Sequence, residues 1–148
     1  MVTLIENMKK NYSKIGKNVI DLEINALKKV KKSIGRSFNE AVDLLCKCKS
    51  KVILCGVGKS GLIAAKISAT LSSVGTSSFT ISASNSSHGD LGSISKRDIL
   101  VLISNSGNTE ELKNIIQYAN RYGIKLIGIM SKKNSLLYKN SNIRLLIP

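Results

Sequence analysis

The stretch ILCGVGKSGLIAAK, residues 53–66, joins an apolar run to a glycine-rich loop and the start of a helical pattern. The run VILCGV (52–57) is too uniformly apolar for a half-exposed strand, which predicts a strand buried on both faces of a parallel sheet. Apolar residues then recur at helical spacing, and Gly75 is suited to end that helix. The stretch therefore predicts a strand, a tight loop and a helix, which is the repeating unit of α/β proteins.

Strands and helices continue to alternate after this unit. Four further apolar runs predict strands, namely SFTIS (78–82), DILVLIS (98–104), KLIGIM (125–130) and IRLLI (143–147). Another helix is indicated by Leu112, Ile115, Ile116 and Ala119 and is closed by Gly123. The predicted fold class is α/β, with a five-stranded parallel, doubly wound sheet in a Rossmann-like, three-layer arrangement.

Two helices are predicted before the first strand. The first is amphipathic and runs to about Gly35, as indicated by Val19, Leu22, Ala26, Leu27, Val30 and Ile34. The run Ser37-Phe38-Asn39-Glu40 fits a capping box that opens the second helix, with Ala41, Leu44, Leu45 and Cys48 on its inner side. A single domain over residues 1–148 is expected, with N-terminal helices in 1–50 and an α/β core in 51–148.

The formal net charge of +14 raises the question of a nucleic-acid partner. The basic residues are mostly lysines spread over every predicted helix, and only four arginines are present. Arginine would be expected to dominate a phosphate-reading surface, and the absence of tryptophan leaves few platforms for base stacking. We therefore expect no nucleic-acid partner, although such a surface attracts small anionic substrates.

The remaining composition predicts a cytoplasmic protein without a membrane partner. No apolar run approaches the length of about 20 residues needed to span a bilayer, and the N-terminus lacks the pattern of a secretory signal. Cys46, Cys48 and Cys55 are odd in number and not spaced as a redox or zinc motif, so reduced thiols are expected. With His88 as the only histidine, no metal site and no cofactor are predicted.

The loop Gly56-Val57-Gly58-Lys59-Ser60-Gly61 fits a dinucleotide fingerprint in spacing, but no acidic residue ends the second predicted strand to take the ribose hydroxyls. It also fails the P-loop pattern, which requires glycine where Ile53 stands. Two interpretations remain. Either the loop and Lys59 face a small anion, or the loop is a tight turn whose glycines serve packing only.

A second polar loop, Ser104-Asn105-Ser106-Gly107-Asn108-Thr109, follows the third predicted strand and opens a helix. Its hydroxyl groups, together with the free N–H groups of a first helical turn, suit the several acceptor oxygens of a phosphate monoester. The alternative is ordinary helix capping, in which Asn108 caps the helix and Glu111 reaches back as in a capping box.

Three motifs, GVGKSG, SSHGDLG (86–92) and ISNSGNTEE (103–111), lie in this order on predicted loops at the strand ends. Together they resemble the SIS (sugar isomerase) domain, most closely the D-arabinose 5-phosphate isomerases, over residues from about 15 to 148. The resemblance implies aldose-ketose isomerisation between D-ribulose 5-phosphate and D-arabinose 5-phosphate, a step in carbohydrate metabolism and lipopolysaccharide biosynthesis. The alternative is a non-catalytic module that senses a phosphosugar.

The resemblance also implies roles for particular residues. Lys59, His88 and Glu111 take the catalytic positions, and substrate or phosphate contacts fall to Ser60, Gly75, Thr76, Ser104, Ser106 and Thr109. In this interpretation Glu111 is the base, Lys59 is the electrostatic partner of the enediolate, and His88 aids ring opening. Family sites are commonly completed across subunits, so a homo-oligomer is expected.

The chain departs from the family at two places. Ser82-Ala83-Ser84-Asn85 stands where family members carry a histidine-proline-glycine-glutamate run. The chain also ends at Pro148, where family members continue with a phosphosugar segment, a further catalytic glutamate and histidine, and a pair of CBS domains. A truncated domain that binds a phosphosugar and isomerises it poorly is the expectation from these differences.

Overall fold

The computed structural model describes residues 11–84 and 90–148. Helix α1, Tyr12–Ser33, forms a compact unit separate from residues 34–147. It is 22 residues long and amphipathic, and none of its residues is buried. Within the described part of the chain, no helix combines the length and the apolar character that crossing a bilayer requires.

Residues 34–147 form one doubly wound α/β unit. Its elements in chain order are α2 (Arg36–Cys46), β1 (Val52–Gly56), α3 (Lys59–Ser73), β2 (Ser78–Thr80), β3 (Ile99–Ile103), α4 (Lys113–Tyr122), β4 (Lys125–Met130), α5 (Leu136–Asn140) and β5 (Ile143–Leu146). Short 3-10 turns lie at Asp90–Ser93 and Glu110–Leu112. The predicted order of strands and helices is confirmed, with α5 as an addition that the sequence pattern did not indicate.

The five strands pair in the order β2-β1-β3-β4-β5, and all four pairings are parallel. Strands β1 and β3 are buried on both faces, as the uniformly apolar VILCGV run predicts for β1. Alternate residues of β1 point to opposite sides: Ile53 and Cys55 join one core cluster, while Val52 and Leu54 join the other. Two apolar layers therefore flank the sheet.

Helices cover both layers. Ala64 of α3 and Ala41 of α2 belong to the cluster on one face, with Leu44, Leu45 and Cys48 packed against it as predicted. The opposite cluster takes Ile115, Ile116 and Ala119 of α4 and Leu137 of α5. The three-layer arrangement is confirmed.

The predicted capping box at the start of α2 is wrong. Gly35 is the N-cap residue and no side chain caps the helix, because the helix begins at Arg36 and Ser37 lies within its first turn. Glu40 forms an ion pair with Arg36 instead, with 2.7 Å between its Oε1 and the Arg36 Nε. The i,i+4 ion pair therefore takes the glutamate that the box requires.

A buried carboxylate fastens the amino ends of β1 and β3. The Asp98 side chain accepts hydrogen bonds from the Ser50 hydroxyl at 2.5 Å and from the backbone N–H groups of Lys51 at 3.2 Å and Ser95 at 2.7 Å. Burial by itself raises the pKa of Asp98, but these hydrogen bonds outweigh burial and hold the pKa below its ordinary value. The charged form of Asp98 is thus part of the folded structure.

Candidate functional site

The strand order creates a switch point between β1 and β3. The chain leaves β1 toward β2 on one side of the sheet and continues from β3 toward β4 on the other, so the loops that follow β1 and β3 diverge at the carboxyl edge. Gly56 at the end of β1 is in register with Ile103 at the end of β3. Ligands of open α/β sheets bind in the crevice at such a point. Both polar loops singled out in the sequence begin there.

The glycine loop turns tightly into α3. A Cβ atom on Gly56 would lie 2.7 Å from the backbone carbon of Ser60, and one on Gly61 would lie 2.9 Å from the Gly56 carbonyl oxygen. Both glycines are therefore required by the close packing of this turn, which is what the packing interpretation expects of them. Gly58 is the N-cap of α3, and Lys59 is the first helical residue, with an exposed side chain. Among the described residues, none accepts a hydrogen bond from the N–H groups of Gly58 and Lys59.

A cavity of about 150 Å³ opens beside this loop. It is lined by Gly56, Val57, Gly58, Ser82, Ala83, Ser84 and Glu111. Glu111 thus shares one cavity with the glycine loop, although 50 residues or more separate them in the chain. The segment after β2 forms another wall, with the Ser82 and Ser84 hydroxyls 2.8 Å apart.

The loop after β3 is ordered by its own hydroxyl groups. The buried Ser104 Oγ accepts a hydrogen bond from the Gly107 N–H at 3.0 Å and lies 2.7 Å from the Thr109 Oγ1. The exposed Ser106 Oγ accepts from the Asn108 N–H at 3.2 Å. Ser104 therefore organises the loop from within, while Ser106 and Thr109 remain nearer to solvent.

The capping alternative for this loop is wrong. The helical segment begins with the 3-10 turn at Glu110–Leu112, whose N-cap Thr109 makes no side-chain capping bond. The Asn108 Oδ1 accepts instead from the Leu136 N–H at 2.8 Å. In the part of the chain that the structure describes, no group accepts from the N–H groups of Ser106, Thr109 and Glu110. Several donors are thus available at one place.

Residues after β4 brace the same loop, which the sequence reasoning missed. The Asn105 carbonyl accepts from the N–H and hydroxyl of Ser131 at 3.0 Å and 2.7 Å, and the Gly107 carbonyl accepts from the Leu137 N–H at 2.9 Å. The buried Ser135 caps α5 and lies directly against Gly107. A serine directly before the run LLY was the available sequence signal for a cap, but α5 has only five residues and no helical period.

The other predicted site residues lie in different places. Ser60 is half-buried in the first turn of α3. Gly75 and Thr76 precede β2, and so lie at the amino edge of the sheet, away from the switch point. His88 is outside the described residues. Within the ranges 11–84 and 90–148, no group of three or more His, Cys, Asp or Glu side chains is placed to hold a metal ion.

Fold and loop placement define a doubly wound α/β domain with its candidate site at the β1/β3 switch point. The family model of the SIS domain matches residues 44–148. The chain therefore belongs to the SIS domain family.

Individual relatives agree with this assignment. The chain is 44% identical to an uncharacterized protein of Rickettsia prowazekii over 138 residues, which are 93% of this chain and 43% of the relative. It is 37% identical to a probable arabinose 5-phosphate isomerase of Haemophilus influenzae over 140 residues, 95% of this chain and 42% of that protein. It thus spans less than half the length of these relatives.

A solved structure with a ligand is similar as well. An Escherichia coli CFT073 protein in complex with arabinose 5-phosphate superimposes with a TM-score of 0.79 at 35% sequence identity, covering 93% of this chain and 75% of the other.

Proposed function

We propose that the chain binds a pentose monophosphate at the β1/β3 switch point and interconverts arabinose 5-phosphate and ribulose 5-phosphate. The observation that carries the proposal is that Glu111, two residues after Thr109 in the chain, lines one cavity with the glycine loop. The names of the similar isomerases and the sugar phosphate complex of the similar Escherichia coli protein favour the same substrate.

The loop after β3 is the proposed phosphate-binding loop. Its available donors are the N–H groups of Ser106, Thr109 and Glu110 and the hydroxyls of Ser106 and Thr109. Ser104 acts through Thr109: because the Ser104 Oγ accepts from the Gly107 N–H, its own proton is free to go to the Thr109 Oγ1. Thr109 then points its proton at a phosphate oxygen. Ser104 is therefore a positioning residue in this proposal.

Glu111 is the proposed base. Aldose-ketose isomerisation moves a proton between adjacent carbons through an enediol, so one carboxylate beside the sugar can remove the proton from one carbon and return it to the other. Negative charge develops on the enediolate oxygen during this transfer. Lys59, next to the lining residue Gly58, is the proposed stabiliser of that charge. His88 is the proposed aid to ring opening.

The wall formed by Ser82–Ser84 supports the expectation of slow turnover. Two hydroxyl groups and an alanine stand there, at the place where the resemblance implies a histidine-proline-glycine-glutamate run. Neither hydroxyl is a strong acid or base near neutral pH, so this wall contributes orientation and little proton transfer.

Oligomerisation, a cytoplasmic location and a place in lipopolysaccharide biosynthesis are parts of the same proposal. Gly75 and Thr76 lie at the amino edge, so a substrate contact from them requires a second copy of the chain. Exposed apolar side chains on α3, among them Leu62 at 73% and Ile63 at 52% exposure, are suited to such a contact.

Conversion of ribulose 5-phosphate, followed by NMR, tests the proposal with two neighbouring carboxylates. Glu111→Gln should lower turnover by about 100-fold or more while the sugar phosphate still binds. Glu110→Gln is the matched control, because it keeps the Glu110 backbone N–H and changes only an exposed carboxylate that pairs with Lys113 at 2.6 Å, so turnover should be unchanged. Equal effects of the two changes would remove Glu111 from the catalytic role. Tight binding by the wild type without any turnover would favour the sensing alternative.

A further inference from the structure

A second cavity, of about 260 Å³, lies at the amino edge of the sheet, opposite the phosphosugar site. Five cationic side chains line it: Lys47, Lys49, Lys96, Arg97 and Lys125. They come from the segment between α2 and β1, the turn before β3, and the first residue of β4. The fold thus gathers positive charge that the sequence distributes over almost 80 residues.

None of these five cations has a carboxylate partner among the described residues. The ion pairs found there are Arg36 with Glu40, Lys51 with Asp98, and Lys113 with Glu110. Asp98 also lines the cavity, but its oxygens are occupied by the Ser50 hydroxyl and two backbone N–H groups. Like charges around one cavity repel one another, and a bound anion would relieve this repulsion.

The cavity has a concave, partly apolar interior. Leu44, Cys48 and Ile99 contribute to its wall, and Ile99 itself is buried. Lys47 and Lys125 also line a neighbouring cavity of about 370 Å³ together with Glu40 and Asp43, whereas Lys49, Lys96 and Arg97 line only this one. Low-dielectric walls strengthen the attraction between an anion and surrounding cations, so this arrangement differs from lysines that are scattered on a convex surface.

We propose that this amino-edge cavity binds a small ligand of the polyphosphate class, with three or more negative charges. A single phosphate carries at most about two negative charges and would balance only part of the five positive charges that line the cavity, whereas a chain of phosphates carries more. The concave shape favours a small ligand over a nucleic-acid strand, which needs an extended groove and stacking side chains. The site differs from the one for the phosphosugar, because the loops after β1 and β3 lie at the other edge of the sheet.

Calorimetric titration with inorganic tripolyphosphate tests the proposal in the whole chain. The test variant is Lys47→Gln with Arg97→Gln, and the control is Lys66→Gln with Lys139→Gln on α3 and α5. Each pair removes two positive charges from a total of +14, so general attraction changes equally. We expect tripolyphosphate to bind more tightly than orthophosphate, and its affinity to fall about tenfold or more in the test variant only. Raising the salt concentration should weaken binding by the wild type.

Four results would overturn the proposal. No heat with the wild type at either of two temperatures would mean that no site exists, and an equal loss of affinity in both variants would indicate diffuse attraction. Displacement of tripolyphosphate by arabinose 5-phosphate would place it at the switch point. Tighter binding of a single-stranded oligonucleotide than of tripolyphosphate would identify a nucleic-acid surface instead.

Discussion

Replacement of Gly107 by alanine should destabilise the protein and weaken phosphosugar binding together. Gly107 has a φ of +66°, a left-handed conformation that costs an alanine about 1–2 kcal/mol. Its new Cβ would also overlap the Ser135 side chain, which is fixed by hydrogen bonds to Lys132 and Tyr138. Overpacking of this kind costs about 1–3 kcal/mol, so the expected total loss is about 2–5 kcal/mol.

Gly123 provides the matched control for this change. It has a φ of +65°, but a Cβ there would meet only the flexible Lys96 side chain at 3.8 Å. Gly123→Ala should therefore cost about 1–2 kcal/mol and leave ligand affinity unchanged. Urea unfolding measures both free energies, and titration with arabinose 5-phosphate measures both affinities. If Gly107→Ala costs no more than Gly123→Ala, Ser135 does not constrain the loop and the reasoning fails.

Three further changes test other parts of the structure. Asp98→Asn should lower the free energy of unfolding at pH 7 by about 1–3 kcal/mol. Because the pKa of Asp98 is lower in the folded than in the unfolded protein, Asp98 stabilises the fold above its unfolded pKa, and this stabilisation is lost as pH falls through its folded pKa. The free energy of unfolding of the wild type, measured in urea, should therefore decline in this pH range. The decline should be smaller in Asp98→Asn. Burial raises the pKa of Cys55 to about 12, so a thiol reagent at pH 8 should modify the exposed Cys46 in the folded protein and reach Cys55 only after unfolding; fast reaction of Cys55 would contradict its placement. Asn108→Ala removes the acceptor of the Leu136 N–H and should weaken sugar phosphate binding several-fold, with an unchanged titration as the contrary result.

The sheet was predictable because its strands carry their signal in short apolar runs. VILCGV and DILVLIS are buried on both faces, and such runs are recognisable without any tertiary information. Gly123 likewise marked the end of α4 correctly, since its left-handed conformation is the usual helix terminus. Helix starts were less predictable. The first residue of a helix depends on which side-chain contacts form, and Glu40 pairs with Arg36 instead of completing the expected capping box.

The candidate site was only partly accessible to the same reasoning. Local motifs identified the loops after β1 and β3, and parallel pairing brings both to one edge. The bracing of the second loop by Ser131, Ser135 and Leu137 depends on contacts about 25–30 residues apart in sequence, for which no local pattern exists. The basic cavity at the opposite edge was missed for the same reason, because its lysines appeared evenly spread along the chain.

Titration calorimetry with arabinose 5-phosphate, comparing the wild type with Thr109→Val, tests most directly whether the loop after β3 grips a phosphate. The Thr109 hydroxyl is the last group in the series of hydrogen bonds that runs from the Gly107 N–H through the Ser104 hydroxyl. A hydrogen bond to a charged phosphate contributes about 1.5–3 kcal/mol. We predict that Thr109→Val weakens binding by about 10-fold to 100-fold. Thr70→Val, on α3 with its hydroxyl bonded to the Lys66 carbonyl, should bind as the wild type does. Equal affinity of Thr109→Val and the wild type, or no binding by the wild type, would contradict the proposed site.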